Sequence, residues 1–172
     1  GVLKPDDVRL LPGAAAALVA LPYLVAGYQQ ERRPFAIVAV GALAWAAVLQ
    51  EDVLLRVWLL ALLSLATTAA DRLLQRRDGR ILSLLVYAGA LYVFGTDVLP
   101  AREAADPAFT SPFALTLWLL VATAVVQAAV LITDEAYLGE LSVRLLYWGA
   151  AGLLLFLGVS AELMRASGQS AM

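Results

Sequence analysis

The sequence predicts an all-α fold, a polytopic integral membrane protein built as a bundle of six transmembrane helices. Three observations carry that prediction. Of 172 residues, 62% are hydrophobic and only 15% charged, with a mean hydropathy of +0.82. Ordinary soluble domains are nearer half apolar and a quarter charged. The apolar residues lie in continuous runs of about 15 to 24 residues, whereas a membrane β-barrel alternates apolar and polar residues in strands of about ten. The runs are separated by short polar stretches that punctuate the whole chain, so it reads as one transmembrane domain.

The first span covers residues 10–27. Pro12 suits a first helical turn, where its missing N–H costs nothing, and Pro22 lies deep enough to kink the helix. A short polar loop with Arg32 and Arg33 leads to the second span, 35–49, which is brief for a bilayer crossing at about 22 Å. The third span is 53–70. Spans two and three together are too long for one crossing, so the chain is expected to turn at Gln50 to Asp52, although no Gly or Pro marks that turn.

The stretch Asp71 to Arg80, DRLLQRRDGR, holds four of the twelve basic residues and is read as a polar loop. The fourth span is 81–99. A longer connection containing Pro100, Pro107 and Pro112 precedes the fifth, 113–133. An acidic link with Asp134, Glu135 and Glu140 precedes the sixth, 141–164. Six crossings put both termini on one side. The connections after spans one, three and five carry seven of the twelve Lys and Arg residues. Short basic loops resist translocation, so 71–80 is expected at the cytoplasmic face of the plasma membrane, with both termini outside.

The two halves match in places. Span two opens on Pro34, Phe35 and Ala36, and span five on Pro112, Phe113 and Ala114. Arg56 and Arg144 begin spans three and six, which approach their ends at Asp71 and Glu162. Three helices repeated across the seam at 71–80 would form a 3+3 inverted repeat, an architecture on which many transporters are built. A sequence this rich in Ala, Leu and Val also produces short matches by chance.

Composition removes much chemistry. With no Cys and no His there is no thiolate or imidazole for metal, haem, nucleophilic or general-base roles, and Lys4 is the only lysine. No cofactor and no metal are expected, and the chain is read as not an enzyme. The near-neutral net charge of −2 gives no footprint for nucleic acid. Asp71 and Asp78 form neither a phosphate cradle nor a metal-ligand pattern, so the central stretch is read as a topology anchor.

At about 100° per residue, Arg56, Ser64, Thr67, Thr68 and Asp71 share a third of the third span, and Thr116, Leu120, Thr123, Gln127 and Asp134 line one face of the fifth. Ser83, Tyr87, Ala90 and Asp97 align on the fourth span. Arg144, Trp148, Ala151, Leu155, Gly158 and Glu162 align on the sixth. Intramembrane polar groups are functional candidates by default. A substrate or ion pathway would therefore draw on Gln127 and Thr123 near the midplane, with Arg56, Asp97 and Glu162 toward one face and Arg144 and Asp134 toward the other. The structural alternative is strong: charges within about two turns of a helix end can snorkel to the interface. Asp52 and Arg56 are spaced as an ordinary i, i+4 pair. Trp45, Trp58, Trp118 and Trp148 fit an interfacial aromatic belt.

Two functions compete. One is a noncatalytic subunit or assembly and scaffold component of a membrane complex, a homo-oligomer or partnered with another membrane chain and surrounded by the lipid bilayer. The other is a small solute or ion transporter or channel on an inverted repeat. Size and span count invite comparison with substrate-binding subunits of vitamin importers, but the Ala16 and Ala20 spacing is too common in an alanine-rich helix to place the chain there.

Overall fold

The computed structural model describes residues 33–73, 78–99, 111–131, 137–138 and 141–167, together with Ala20 and Pro22. Among these are five α-helices: α1 (Arg33–Val48), α2 (Val53–Leu73), α3 (Asp78–Val93), α4 (Pro112–Val130) and α5 (Val143–Ala166). A π-helical turn, Phe94–Val98, continues α3, and two-residue strands β1 (Tyr137–Leu138) and β2 (Leu141–Ser142) pair antiparallel just before α5. Four stretches are long and apolar enough to cross a membrane: Val53–Arg72, Gly79–Val98, Pro112–Val130 and Val143–Met164. Within α1 the corresponding stretch, Ile37–Val48, is shorter.

The distribution of polarity supports the membrane reading. Outward-facing positions include Ile37, Val38, Trp45, Leu62, Leu85, Tyr92, Leu153 and Phe156, whereas Ser64, Thr68, Asp71, Arg80, Ser83, Thr116, Gln127 and Glu162 are buried. Water would favour the opposite arrangement, because exposed apolar surface is costly there. Hydrocarbon accepts an apolar exterior and rejects polar groups, which therefore gather inside.

The chain forms two compact units, Gly1–Ala90 and Leu91–Met172. In the first unit α1 packs on α2. The face of α1 bearing Ile37, Val38, Trp45 and Val48 is exposed, and the opposite face bearing Ala39, Val40, Ala46 and Ala47 is buried. The turn expected at Gln50 to Asp52 is present, and its signal is a capping residue. The Asp52 carboxylate accepts from the backbone N–H groups of Leu54 and Leu55 at 2.9 and 3.2 Å, satisfying donors that the first turn of α2 leaves open. Arg56 closes the corner from the other side by donating from Nε to the Gln50 carbonyl. Asp52→Ala is expected to cost about 1 kcal/mol of stability, read by unfolding in mixed micelles.

In the second unit α4 begins on a Ser-Pro pair. Ser111 Oγ accepts from Ala114 N–H at 3.1 Å, and Pro112 occupies a first-turn position where no N–H is needed. Phe94 of the π-helical turn stacks on Phe113 with ring centroids 5.2 Å apart. The π-helical turn is closed by a bond from Leu99 N–H to the Phe94 carbonyl at 2.9 Å. α4 and α5 pack along their lengths. Leu117, near the start of α4, meets Gly158, near the end of α5, which is the register of antiparallel neighbours. Gly158 sets their separation, because a Cβ built there would lie 2.1 Å from Leu117 Cδ2.

Three sequence expectations are corrected. The described residues of the stretch 71–80 are helical: Asp71 to Leu73 finish α2 and Asp78 to Arg80 begin α3. An ion pair between Asp71 and Arg80 explains why these charged positions can join helix ends. Span six begins as strand at Leu141 and Ser142, which pair with Tyr137 and Leu138, and its helix runs from Val143 to Ala166. The buried stripe of α5 is Val143, Tyr147, Ala151, Gly158 and Glu162, while Trp148 and Leu155 are exposed. The close approach at Gly158 fixes which side of the helix turns inward.

The first span, apart from Ala20 and Pro22, lies outside the described residues, as does most of the predicted kink. Both of those residues are helical, with Ala20 buried and Pro22 exposed. The described helices do not establish the 3+3 repeat. The boundary between the compact units falls inside α3, at Ala90, away from the seam that a duplication at 71–80 requires.

Candidate functional site

The interior polar groups form three clusters. The first joins α2 to α3 through hydroxyls. Ser64 Oγ donates to the Ser83 carbonyl at 2.9 Å, and Ser83 Oγ donates to the Ser64 carbonyl at 2.9 Å. Thr68 Oγ1 donates to Ser83 Oγ at 2.7 Å. Each serine thus reaches the backbone of the opposite helix, which only a short side chain permits at such close approach. Thr67 turns back onto its own helix, bonding the Leu63 carbonyl at 2.7 Å. Every one of these hydroxyls donates within the protein, so this cluster acts as an interhelical clasp. Ser83→Ala is expected to lower stability by about 1–2 kcal/mol, measured by steric trapping in bicelles, because it removes two interhelical bonds at once.

The second cluster lies at the α2–α3 corner. Arg80 Nε is 3.3 Å from Asp71 Oδ2, and both side chains are almost wholly buried, at 6% and 3% exposure. The other carboxylate oxygen, Oδ1, accepts from Gly79 N–H at 3.2 Å. An acid in the last turn of a helix opposes that helix's own dipole. Here it is offset by an arginine and by a backbone donor in the first turn of the next helix. Gly79 is required by the geometry, since a Cβ there would come within 2.9 Å of Asp71.

The third cluster is the inward face of α4, where Thr116, Leu120, Thr123 and Gln127 are all buried as their spacing predicted. Thr116 Oγ1 donates to the Pro112 carbonyl at 2.8 Å. Thr123 Oγ1 has no hydrogen-bond partner. α4 contains no charged residue; Thr123 lies near its middle and Gln127 one turn closer to its C-terminal end.

Among the described residues of the second unit, the candidate pathway residues do not all gather in one place. Gln127, Thr123 and Glu162 are buried, with Thr123 and Gln127 one turn apart on α4 and Glu162 on α5. The Gly158–Leu117 contact puts Glu162, one turn further on, level with the first turn of α4 around Phe113, away from Gln127. Arg56 belongs to the α1–α2 corner through Gln50, a structural engagement. Asp97 is half-buried in the π-helical turn, and Arg144 is half-buried in the first turn of α5. Asp134 lies outside the described residues.

Spacing alone could not disclose Arg80 and Ser83 as members of these clusters, because each meets its partner across a helix corner. A weak signal existed: Asp71 stands in the last turn of one helix and Arg80 in the first turn of the next, with a glycine beside the arginine. Among the described residues no group of three or more carboxylates is placed to hold a metal ion. No protein-family model, no curated protein and no solved structure matches this chain.

Proposed function

We propose that this chain is a noncatalytic membrane protein acting as a subunit or assembly component of a membrane complex. In this reading it resides in the plasma membrane with the 71–80 corner cytoplasmic and both termini outside. The observation that carries the reading is the outer surface of α5. That helix uses one stripe for packing and leaves Gly149 and Gly152 exposed, with open space where a side chain would stand. Glycine facing lipid contributes no packing and lowers helix propensity, whereas glycine facing another helix lets two backbones approach closely. Leu145, Trp148, Leu153 and Phe156 border these glycines and supply ridges for a partner helix.

The chain contains no cysteine, so a single Gly152→Cys variant can carry a photo-crosslinker in native membranes without background. A protein adduct of defined mass is the expected product. Adducts with lipid alone would sink the subunit reading. Gly152→Leu should dissociate the complex in native mass measurements while leaving the fold within about 0.5 kcal/mol of wild type, because nothing within the chain opposes the new side chain.

The second reading, a small solute or ion transporter, is supported by the buried Thr123–Gln127 face and by the buried Glu162. Polar groups within spans often mark substrate routes. Its test is flux in liposomes with Gln127→Ala and Arg144→Ala. Unchanged transport in both variants removes the roles assigned to those two residues.

A further inference from the structure

Threonine in a helix ordinarily satisfies its hydroxyl by bonding the carbonyl one turn back. Thr67, Thr96 and Thr116 do so, at 2.7, 3.0 and 2.8 Å, and Thr68 bonds Ser83 instead. Thr123 departs from this pattern. It is 2% exposed, sits near the middle of α4, and its hydroxyl has no partner in the protein. A hydroxyl left unpaired in an apolar interior is destabilising, and more so at the depth of hydrocarbon.

One turn on, at i+4, stands Gln127, fully buried on the same face and with an interaction of its own. Both Thr123 Oγ1 and Gln127 Oε1 are buried without a hydrogen-bond partner, and the i, i+4 spacing sets them one turn apart on one face. The two do not bond to each other, since Thr123 Oγ1 has no protein partner.

We propose that Thr123 and Gln127 form a mid-membrane binding site for one small uncharged molecule that both donates and accepts hydrogen bonds. The hydroxyl offers a donor and an acceptor, and the Gln127 carbonyl oxygen Oε1, which has no hydrogen-bond partner, offers a second acceptor. The molecule is uncharged because α4 has no ionised group to balance a charge at that depth. Water and small polyols share the required chemistry.

The test is thermal unfolding of the full chain in detergent micelles, comparing wild type with Thr123→Val and Thr123→Ser, with and without glycerol. Valine keeps the shape and removes the hydroxyl, whereas serine keeps the hydroxyl and removes the methyl. With the site occupied, Thr123→Val lowers Tm by about 2–4 °C, the shift for roughly one hydrogen bond in a chain of this size, and Thr123→Ser stays close to wild type. If glycerol raises Tm more in wild type than in Thr123→Val, the occupant is a polyol. An equal rise in both identifies water. A Tm for Thr123→Val that is unchanged or raised overturns the proposal, because an orphaned hydroxyl gains by removal. So does a fall in Thr123→Ser as large as that in Thr123→Val, since the methyl group and its packing would then account for both.

Discussion

Replacing either Asp71 or Arg80 with alanine is expected to destabilise the protein by about 3–5 kcal/mol, because each substitution strands its partner as a buried charge. The two side chains face each other at 3.3 Å in a nearly closed environment. Asp71→Ala carries a further loss, the acceptor for Gly79 N–H at the start of α3. The double variant Asp71→Ala with Arg80→Ala should recover much of the loss, since neither charge is then left alone, and the resulting cycle measures the coupling directly. Gly79→Ala should reproduce part of the Asp71 defect with every charge retained, because the added methyl collides with the carboxylate at 2.9 Å. Urea or SDS unfolding of the four proteins decides it. Strictly additive losses in the cycle would show that the pair is not coupled.

At the α4–α5 contact, Gly158→Leu is expected to prevent normal assembly of the second unit, and Gly158→Ala to cost about 1–3 kcal/mol as Leu117 is forced out of its rotamer. A Cβ on residue 158 would come within 2.1 Å of Leu117 Cδ2 and 3.1 Å of its Cγ, so moving one methyl does not relieve the collision. Leu117 is itself buried, which leaves few places for the displaced side chain. Leu117→Ala alone should cost about 2–5 kcal/mol by opening a cavity. Combining Leu117→Ala with Gly158→Ala should cost clearly less than the sum, because each substitution provides the space or the volume that the other lacks. Thermal unfolding followed by circular dichroism provides the four values. A double variant as unstable as the sum of the singles would mean that the two residues do not touch.

The helical nature of the chain, the approximate limits of most of its described spans and the inward faces of α2, α3 and α4 were legible in the sequence. They follow from run length and from the 3.6-residue period, which are properties of local sequence. Ser64, Thr68 and Asp71 on α2, and Thr116, Thr123 and Gln127 on α4, are buried where that period places them. The Asp52 cap has a sequence correlate as well, an acidic residue directly before an apolar run, beyond the i, i+4 spacing to Arg56.

Four things were not legible. The Leu138–Leu141 and Tyr137–Ser142 pairing rests on too few residues to leave a periodic signal. The π-helical turn, with its closing i to i+5 bond from Leu99 N–H to the Phe94 carbonyl, follows no spacing rule. The inward side of α5 was expected correctly at Ala151, Gly158 and Glu162, but Val143 and Tyr147 are buried where Trp148 and Leu155 were expected, because a helix that is apolar nearly all round does not announce its whole packing face. The partners of Asp71 and Ser64 stand on the next helix, and sequence separation carries no distance information across a corner.

The sequence by itself determined that the chain is a set of apolar helices, because the excess of apolar residues and the length of their runs are composition and counting. Only the tertiary structure decided which polar residues are consumed as fasteners and which remain open. Ser64, Thr68 and Ser83 complete one another's hydrogen bonds, and Asp71 neutralises Arg80, so those groups are occupied in holding helices together. Thr123 is left with its hydroxyl unbonded in the middle of α4. The physical reason is that a hydrogen bond or ion pair depends on separations of about 3 Å between groups on different helices. Those separations exist only after the helices have packed.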